Sequence, residues 1–224
     1  DVIADHKHIM VGAHHFIVFA DGGDQAEDLF LLKLDRDLQR VGIVQVVDGD
    51  PPTNDMMLVS DGERISVGKF LPGIGHRMYV YDLDLQLQGT IDVGGADNRH
   101  ANGASATWAT GISGPRFELI APETLAPGDG GAFYRLSYDA DWQLLSARQT
   151  ILEDPGQLQI VSGLSYMGEI DRFVVHYSRA NDDEGGPMFR ALYDADWQLL
   201  SNEKILKGKW NRPHSVVVGT QEEY

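Results

Sequence analysis

The 224-residue sequence contains no cysteine. Disulfides, thiolate metal centres and a cysteine nucleophile are thereby excluded, and cysteine usage leaves the redox compartment undecided. Positive charge is scarce as well: 18 lysines and arginines stand against 34 aspartates and glutamates, a net charge of −16 at neutral pH. Such a chain repels a phosphate backbone, so no nucleic-acid partner is expected. No apolar run approaches the length that crosses a bilayer, and no membrane association is expected. Sustained helical periodicity is missing too, and there is no Asn-x-Ser/Thr acceptor. Composition leaves the cellular address open, with a secreted or periplasmic location favoured. The chain opens at Asp1 with neither an initiator methionine nor a signal-like stretch, which reads as processing or truncation.

What the sequence does have is repetition. Tyr193-Asp194-Ala195-Asp196-Trp197-Gln198-Leu199-Leu200-Ser201 is a near copy of Tyr138-Asp139-Ala140-Asp141-Trp142-Gln143-Leu144-Leu145-Ser146. Looser copies stand at Leu34-Asp35-Arg36-Asp37-Leu38-Gln39 and Tyr81-Asp82-Leu83-Asp84-Leu85-Gln86. A period of about 50 residues belongs to arrays of four-stranded blades rather than to helical solenoids. Around each copy run four short segments rich in Val, Ile, Phe and Tyr, bounded by Gly, Asp, Asn and Pro, and these read as strands.

The expected fold is therefore an all-β, five-bladed β-propeller of four-stranded antiparallel blades, a single domain over residues 1–224. The blade units fall at about 6–48, 53–94, 98–152 and 157–206. Arg212-Pro213-His214-Ser215-Val216-Val217-Val218-Gly219 matches the first strand of a unit, and Asp1-Val2-Ile3-Ala4-Asp5 matches the end of a last strand. A fifth blade built from 210–224 plus 1–5 would close the ring. That blade is short of material, so the polypeptide is expected to continue further.

Loops in an antiparallel blade alternate between its two ends. The first-to-second and third-to-fourth connections are tight, whereas the second-to-third connections and the links between blades are long and polar. Binding and catalysis tend to use variable loops held by a rigid scaffold, which places the candidate site at the link end, near the axis. That end collects His6, His8, His76, Arg77, Arg99, His100, Asn102, Trp210, Arg212 and His214 as candidate ligand-binding residues. A cationic, imidazole-lined funnel in an anionic body suits an anionic ligand or a metal. His8, His100 and His214 open or precede inner strands of three units and are the metal candidates. A divalent metal at the axis is left as an alternative, because no short-range ligand spacing of a zinc motif is present.

Aspartate in the repeated Asp-x-Asp turns bonds nearby backbone N–H groups, a reading preferred to calcium binding. Trp142 and Trp197 are expected to pack between blades. His14, His15 and His176 read as surface or strand positions. Gly73-Ile74-Gly75 is too short for a dinucleotide fingerprint. Carboxylates at the link end are Asp5, Asp55, Asp97, Glu123 and Glu184, and paired carboxylates can cleave a glycosidic bond.

The blade grammar, with an inner strand opened as in Asn211-Arg212-Pro213-His214, resembles that of five-bladed propeller glycosidases of the arabinanase and fructosidase type. The resemblance implies two Asp and one Glu from different blades acting on a glycan. By position these are Asp5 as base, Asp55 as modulator and Glu123 as acid. The histidine-rich floor is more similar to propeller-type polysaccharide lyases, which implies a uronate-containing substrate. A glycoside hydrolase or polysaccharide lyase is thus the enzyme expectation, and a non-catalytic ligand-binding or protein-interaction propeller is the alternative.

Overall fold

The computed structural model describes residues 6–23, 26–50, 56–71, 75–93, 104–124, 131–154, 158–179 and 187–206. Within these, the side chains of 21–23, 26–27, 48–50, 123–124, 154, 158–160, 162 and 179 lie outside the description. Sixteen strands and no helix are found among the described residues.

The first sheet consists of β1 (His6–Val11), β2 (His14–Gly23), β3 (Ala26–Leu34) and β4 (Arg40–Asp50). The second consists of β5 (Met56–Ser60), β6 (Arg64–Leu71), β7 (Gly75–Asp82) and β8 (Leu87–Val93). The third holds β9 (Ser105–Ala109), β10 (Arg116–Thr124), β11 (Gly131–Tyr138) and β12 (Gln149–Asp154). The fourth holds β13 (Leu158–Met167), β14 (Arg172–Arg179), β15 (Met188–Tyr193) and β16 (Leu199–Leu206). In every sheet the strands are hydrogen-bonded in chain order, so each is an antiparallel meander, one blade.

Among the described residues the count is four blades, which corrects the expectation of five. The expected closing blade falls on 1–5 and 210–224, outside the described residues. The physical reason is in the turns: each observed blade owns one Asp-x-Asp-x-Gln connection, and the sequence carries four of them.

Those four turns share one geometry. The Oδ1 of Asp35, Asp82, Asp139 and Asp194 accepts the backbone N–H two residues on, at 2.9 to 3.1 Å. It also accepts the N–H of the glutamine four residues on, at 2.8 Å. One carboxylate oxygen thereby satisfies two N–H groups that the ladder leaves behind. The residue before each glutamine takes a left-handed backbone: Leu38, Leu85, Trp142 and Trp197 have φ between 59° and 64°. A side chain there costs about 1 kcal/mol or more relative to glycine. Three of the four offset that cost by burial, with Leu85, Trp142 and Trp197 at 7%, 3% and 3% exposure. Leu38, at 62%, does not.

The chain falls into two compact units, residues 1–98 and 99–224, each holding two blades. In the first unit β1 packs on β5, so the blades meet at their first strands. Their shared core joins Phe16, Val18, Leu29 and Leu31 to Met56, Leu58, Ile65, Val67, Tyr81 and Leu85. The contact is close at Gly42: a Cβ there would stand 2.9 Å from Leu85 Cδ1, so the end of that side chain would have to shift. In the second unit β9 packs on β13 in the same way. Its core joins Ala109, Ile120 and Phe133 to Phe173, Val175, Tyr177, Tyr193 and Trp197. Trp197 lies flat on Phe173, centroids 4.3 Å apart, and the Arg135 guanidinium of the third blade sits 5.4 Å from the Trp197 ring. The expected packing of Trp197 between blades is therefore observed. Trp142 stacks on Phe117 of its own blade at 4.2 Å.

Strand limits follow the sequence pattern closely except in the third blade. There the run from Leu144 makes only an isolated bridge to Tyr138, and the paired strand starts at Gln149. Arg148 lies over the Tyr134 ring at 4.0 Å across this irregular stretch.

Candidate functional site

The link end of a blade is where its first and third strands begin and its second ends. In the first blade this end presents His6 and His8. Ile9 and Val11 pack into the core shared with the second blade, so alternation puts His6, His8 and Met10 on the opposite face. The two-residue loop Gly12-Ala13 pairs Val11 with His14, which sets His8 opposite Ile17 and Met10 opposite His15. His8 and His15 are thus diagonal neighbours on one face. His8 Nε2 lies 2.9 Å from His15 Nδ1 with the rings stacked at 5.1 Å. One of the two nitrogens must carry a hydrogen for this bond, and two protonated rings could not make it. Burial, then the nearby His15 and His6, hold the His8 imidazole below its ordinary pKa.

In the second blade the link end presents His76 and Arg77 at the start of β7. His76 is fully buried, facing the Phe70 ring edge-on at 5.5 Å from the paired position on β6. Arg77 pairs across β8 with Asp92 through two bonds, Nε to Oδ1 at 2.7 Å and Nη2 to Oδ2 at 3.0 Å. The guanidinium pulls the Asp92 carboxyl below the usual range, and that carboxylate raises the Arg77 value in return. In the third blade Glu123 is the penultimate residue of β10, paired with Ala132, which places its backbone at the same end of that blade. Its side chain lies outside the described residues.

Of the remaining candidates, Asp5, Asp55, Arg99, His100, Asn102, Trp210, Arg212 and His214 lie outside the described residues. The only described member of the expected metal trio is His8, and its observed neighbour is His15. No group of three or more His, Asp or Glu arranged to hold a metal occurs among the described residues.

One buried polar cluster was not singled out by the sequence reading. Glu118 is fully buried on β10, accepting a hydrogen bond from Ser137 Oγ at 2.7 Å and contacting Arg116 and Arg135. Arg116 also reaches the Phe173 ring of the fourth blade at 5.8 Å, so this cluster joins the two blades of the second unit. Successive residues of β10 alternate faces, so Arg116 and Glu118 share one, and the Arg-x-Glu spacing was the available signal. His176, expected at a surface or strand position, is a strand residue that is almost fully buried. Burial and then Arg190 push its pKa down, and its Nδ1 has no partner among the described residues.

No family model matches the sequence, and no curated protein is similar to it. Solved structures are similar in shape at low identity. A GH43_12 protein retrieved from the capybara gut metagenome is 12% identical with TM-score 0.56, over 92% of this chain and 43% of that one. An apocarotenoid oxygenase from Synechocystis is 10% identical with TM-score 0.53, over 90% of this chain and 50% of that one. The GH43 endo-arabinanase from Bacillus licheniformis is 12% identical with TM-score 0.49, over 86% and 74%. The shared property is the fold. The chain is an all-β propeller of four-stranded antiparallel blades, and it spans half or less of the first two of these proteins. Such a fold hosts many chemistries, so the site must argue the activity.

Proposed function

We propose that this propeller binds a polar, anionic glycan at the link end of its blades and cleaves it. The observation that carries the reading is where the cationic and imidazole residues sit in an acidic chain. His6 and His8 open β1 and His76 and Arg77 open β7, at the link ends of the two blades of the first unit. Arg99, His100, Asn102, Trp210, Arg212 and His214 extend the set through the links. The fold likeness to the GH43_12 protein supports a carbohydrate-active propeller rather than any one substrate.

Cleavage rests on carboxylates. Asp5 acts as base toward water, Glu123 donates the proton to the departing sugar oxygen, and Asp55 tunes the acid. Water thereby adds across the glycosidic bond, hydroxyl to the anomeric carbon and proton to the leaving group. The test is a screen of neutral arabinan and acidic polygalacturonate with the whole chain, reading reducing ends for hydrolysis and ultraviolet absorbance for an unsaturated elimination product. Asp5→Asn, Asp55→Asn and Glu123→Gln are each expected to lower turnover about a hundredfold or more. Turnover unchanged in all three retires the catalytic assignment. Binding without turnover in the unsubstituted protein makes this a recognition module.

A further inference from the structure

Each compact unit holds one joint between blades, and both joints are made the same way. Between the first and second blades, Lys33 of β3 donates from Nζ to the Leu83 carbonyl at 2.6 Å and lies 3.6 Å from Asp84, while Leu85 is buried close to Gly42. Between the third and fourth, the Arg135 guanidinium of β11 sits 5.4 Å from the buried Trp197 ring and feels the Asp196 carboxylate. In each case a cation on the third strand of one blade grips the Asp-x-Asp turn of the next. The left-handed residue of that turn is the knob that the joint buries.

One half of this device stands open on the first blade. Leu32, Tyr79 and Ala191 each lie three residues before the first aspartate of their turn. Tyr79 and Ala191 pack into the core shared with the preceding blade, so the face of Leu32 is the equivalent surface of the first blade. Register adds Ile43, paired with Leu32, and Phe19, stacked on Phe30 at 5.5 Å. Phe19, Phe30 and Leu32 are half-buried, and Met10 and Ile43 are exposed. A sheet face this apolar marks an interaction surface. Its knob is Leu38, the one left-handed turn residue of the four that remains in water.

The other half stands open on the fourth blade. Arg135 and Arg190 each lie three residues before a copy of Tyr-Asp-Ala-Asp-Trp-Gln-Leu-Leu-Ser. Each donates from Nε to its cross-strand neighbour, Gln149 at 2.8 Å and Glu203 at 2.9 Å. Arg135 shares the face of Phe133, toward the fourth blade, whereas Arg190 alternates with Ala191 and Tyr193 and so faces away from the third. The Arg190 side chain is 49% exposed.

We infer that the two halves join between copies: the first-blade face of one chain docks on the fourth-blade face of a second copy, with Leu38 against the Arg190 guanidinium and Asp37 beside its charge. Knob, carboxylate and cation are those that the two observed joints already use, which makes a copy of this chain the fitting occupant. The two surfaces differ, so the contact is head-to-tail and successive copies add in the same sense. This inference is independent of the glycan reading.

The experiment follows weight-average mass by sedimentation equilibrium over a concentration series, for the whole chain and its Leu38→Gly and Arg190→Gln variants. Sodium chloride at about 0.5 M screens the repulsion between copies. The parent's mass is expected to rise with concentration past the dimer value, and each variant to associate about tenfold more weakly. Leu38→Gly removes a strained side chain, so its weaker association is not a folding defect. Because the chain has no cysteine, single thiols locate the contact. Leu38→Cys mixed with Arg190→Cys is expected to give a covalent dimer with a short bismaleimide, far more than either protein alone.

A mass fixed at the monomer value overturns the inference, and so does equal association of all three proteins. Dimers formed as readily by Leu38→Cys alone show a two-fold contact instead and overturn it as well. So does a cross-link within a single chain carrying both thiols, at a dilution where the parent is monomeric.

Discussion

A single carboxylate oxygen of Asp194 holds two backbone N–H groups of its turn, at 3.1 and 2.8 Å. Asp194→Ala leaves both without that acceptor and is expected to lower stability by about 1 to 2 kcal/mol, the range for a lost cap or hydrogen bond. Asp194→Asn keeps a carbonyl oxygen in place and should lose much less, a contrast that urea denaturation resolves. Titration at the residue scale runs through histidine. The folded values of His8 and His176 lie below 6.5, so the unfolded chain binds more protons in that window. The contribution is complete above about pH 6.5 and is lost as pH falls through the folded values. Stability should therefore drop between pH 7 and 5.5, and the drop should be shallower in His8→Gln and His176→Phe. An unchanged slope in both variants would assign the acid limb to carboxylates instead.

Among elements, the left-handed position of the repeated turn separates two kinds of residue. At Leu38, exposed and at φ 60°, the side chain strains the backbone and its exposure leaves that strain uncompensated. Leu38→Gly should be neutral or stabilise by up to about 1 kcal/mol. At Trp197, at φ 61°, the same relief is swamped by the lost packing against Phe173 and Tyr193. Trp197→Gly should cost about 3 to 5 kcal/mol. If both variants respond alike, backbone strain rather than docking governs the turn. The joint between the third and fourth blades depends on Glu118 as well. Glu118→Ala strands Arg116 and Arg135 beside an apolar wall and should cost about 3 to 5 kcal/mol, read from the denaturation midpoint.

For the whole molecule the governing quantity is a net charge of −16. Added salt shortens the screening length from about 10 Å at 0.1 M to about 3 Å at 1 M and relieves this self-repulsion. It also weakens exposed pairs such as Arg77 with Asp92 and Arg190 with Glu203, which contribute little to begin with. The urea midpoint should accordingly rise as sodium chloride increases. A midpoint that falls would show that ion pairs outweigh the excess of like charge.

Strand identity and the structural role of the Asp-x-Asp turns were legible in the amino-acid sequence, because they depend on local pattern: alternation, β-branched runs and a short hydrogen-bonding loop. Blade grammar located the strands of the described blades, misplaced the start of β12 beyond Leu144, where the pairing depends on a neighbour rather than on the run itself, and counted one blade more than is observed among the described residues. The contacts between side chains were decided by tertiary structure. Pairing of His8 with His15 needed the register of one hairpin, the grip of Arg77 on Asp92 needed β7 beside β8, and the burial of Glu118 with Arg116 needed one blade laid on another. Composition along a chain states which groups are present. Only the fold decides which of them lose water, and that loss is what turns a charge into a cost or a site.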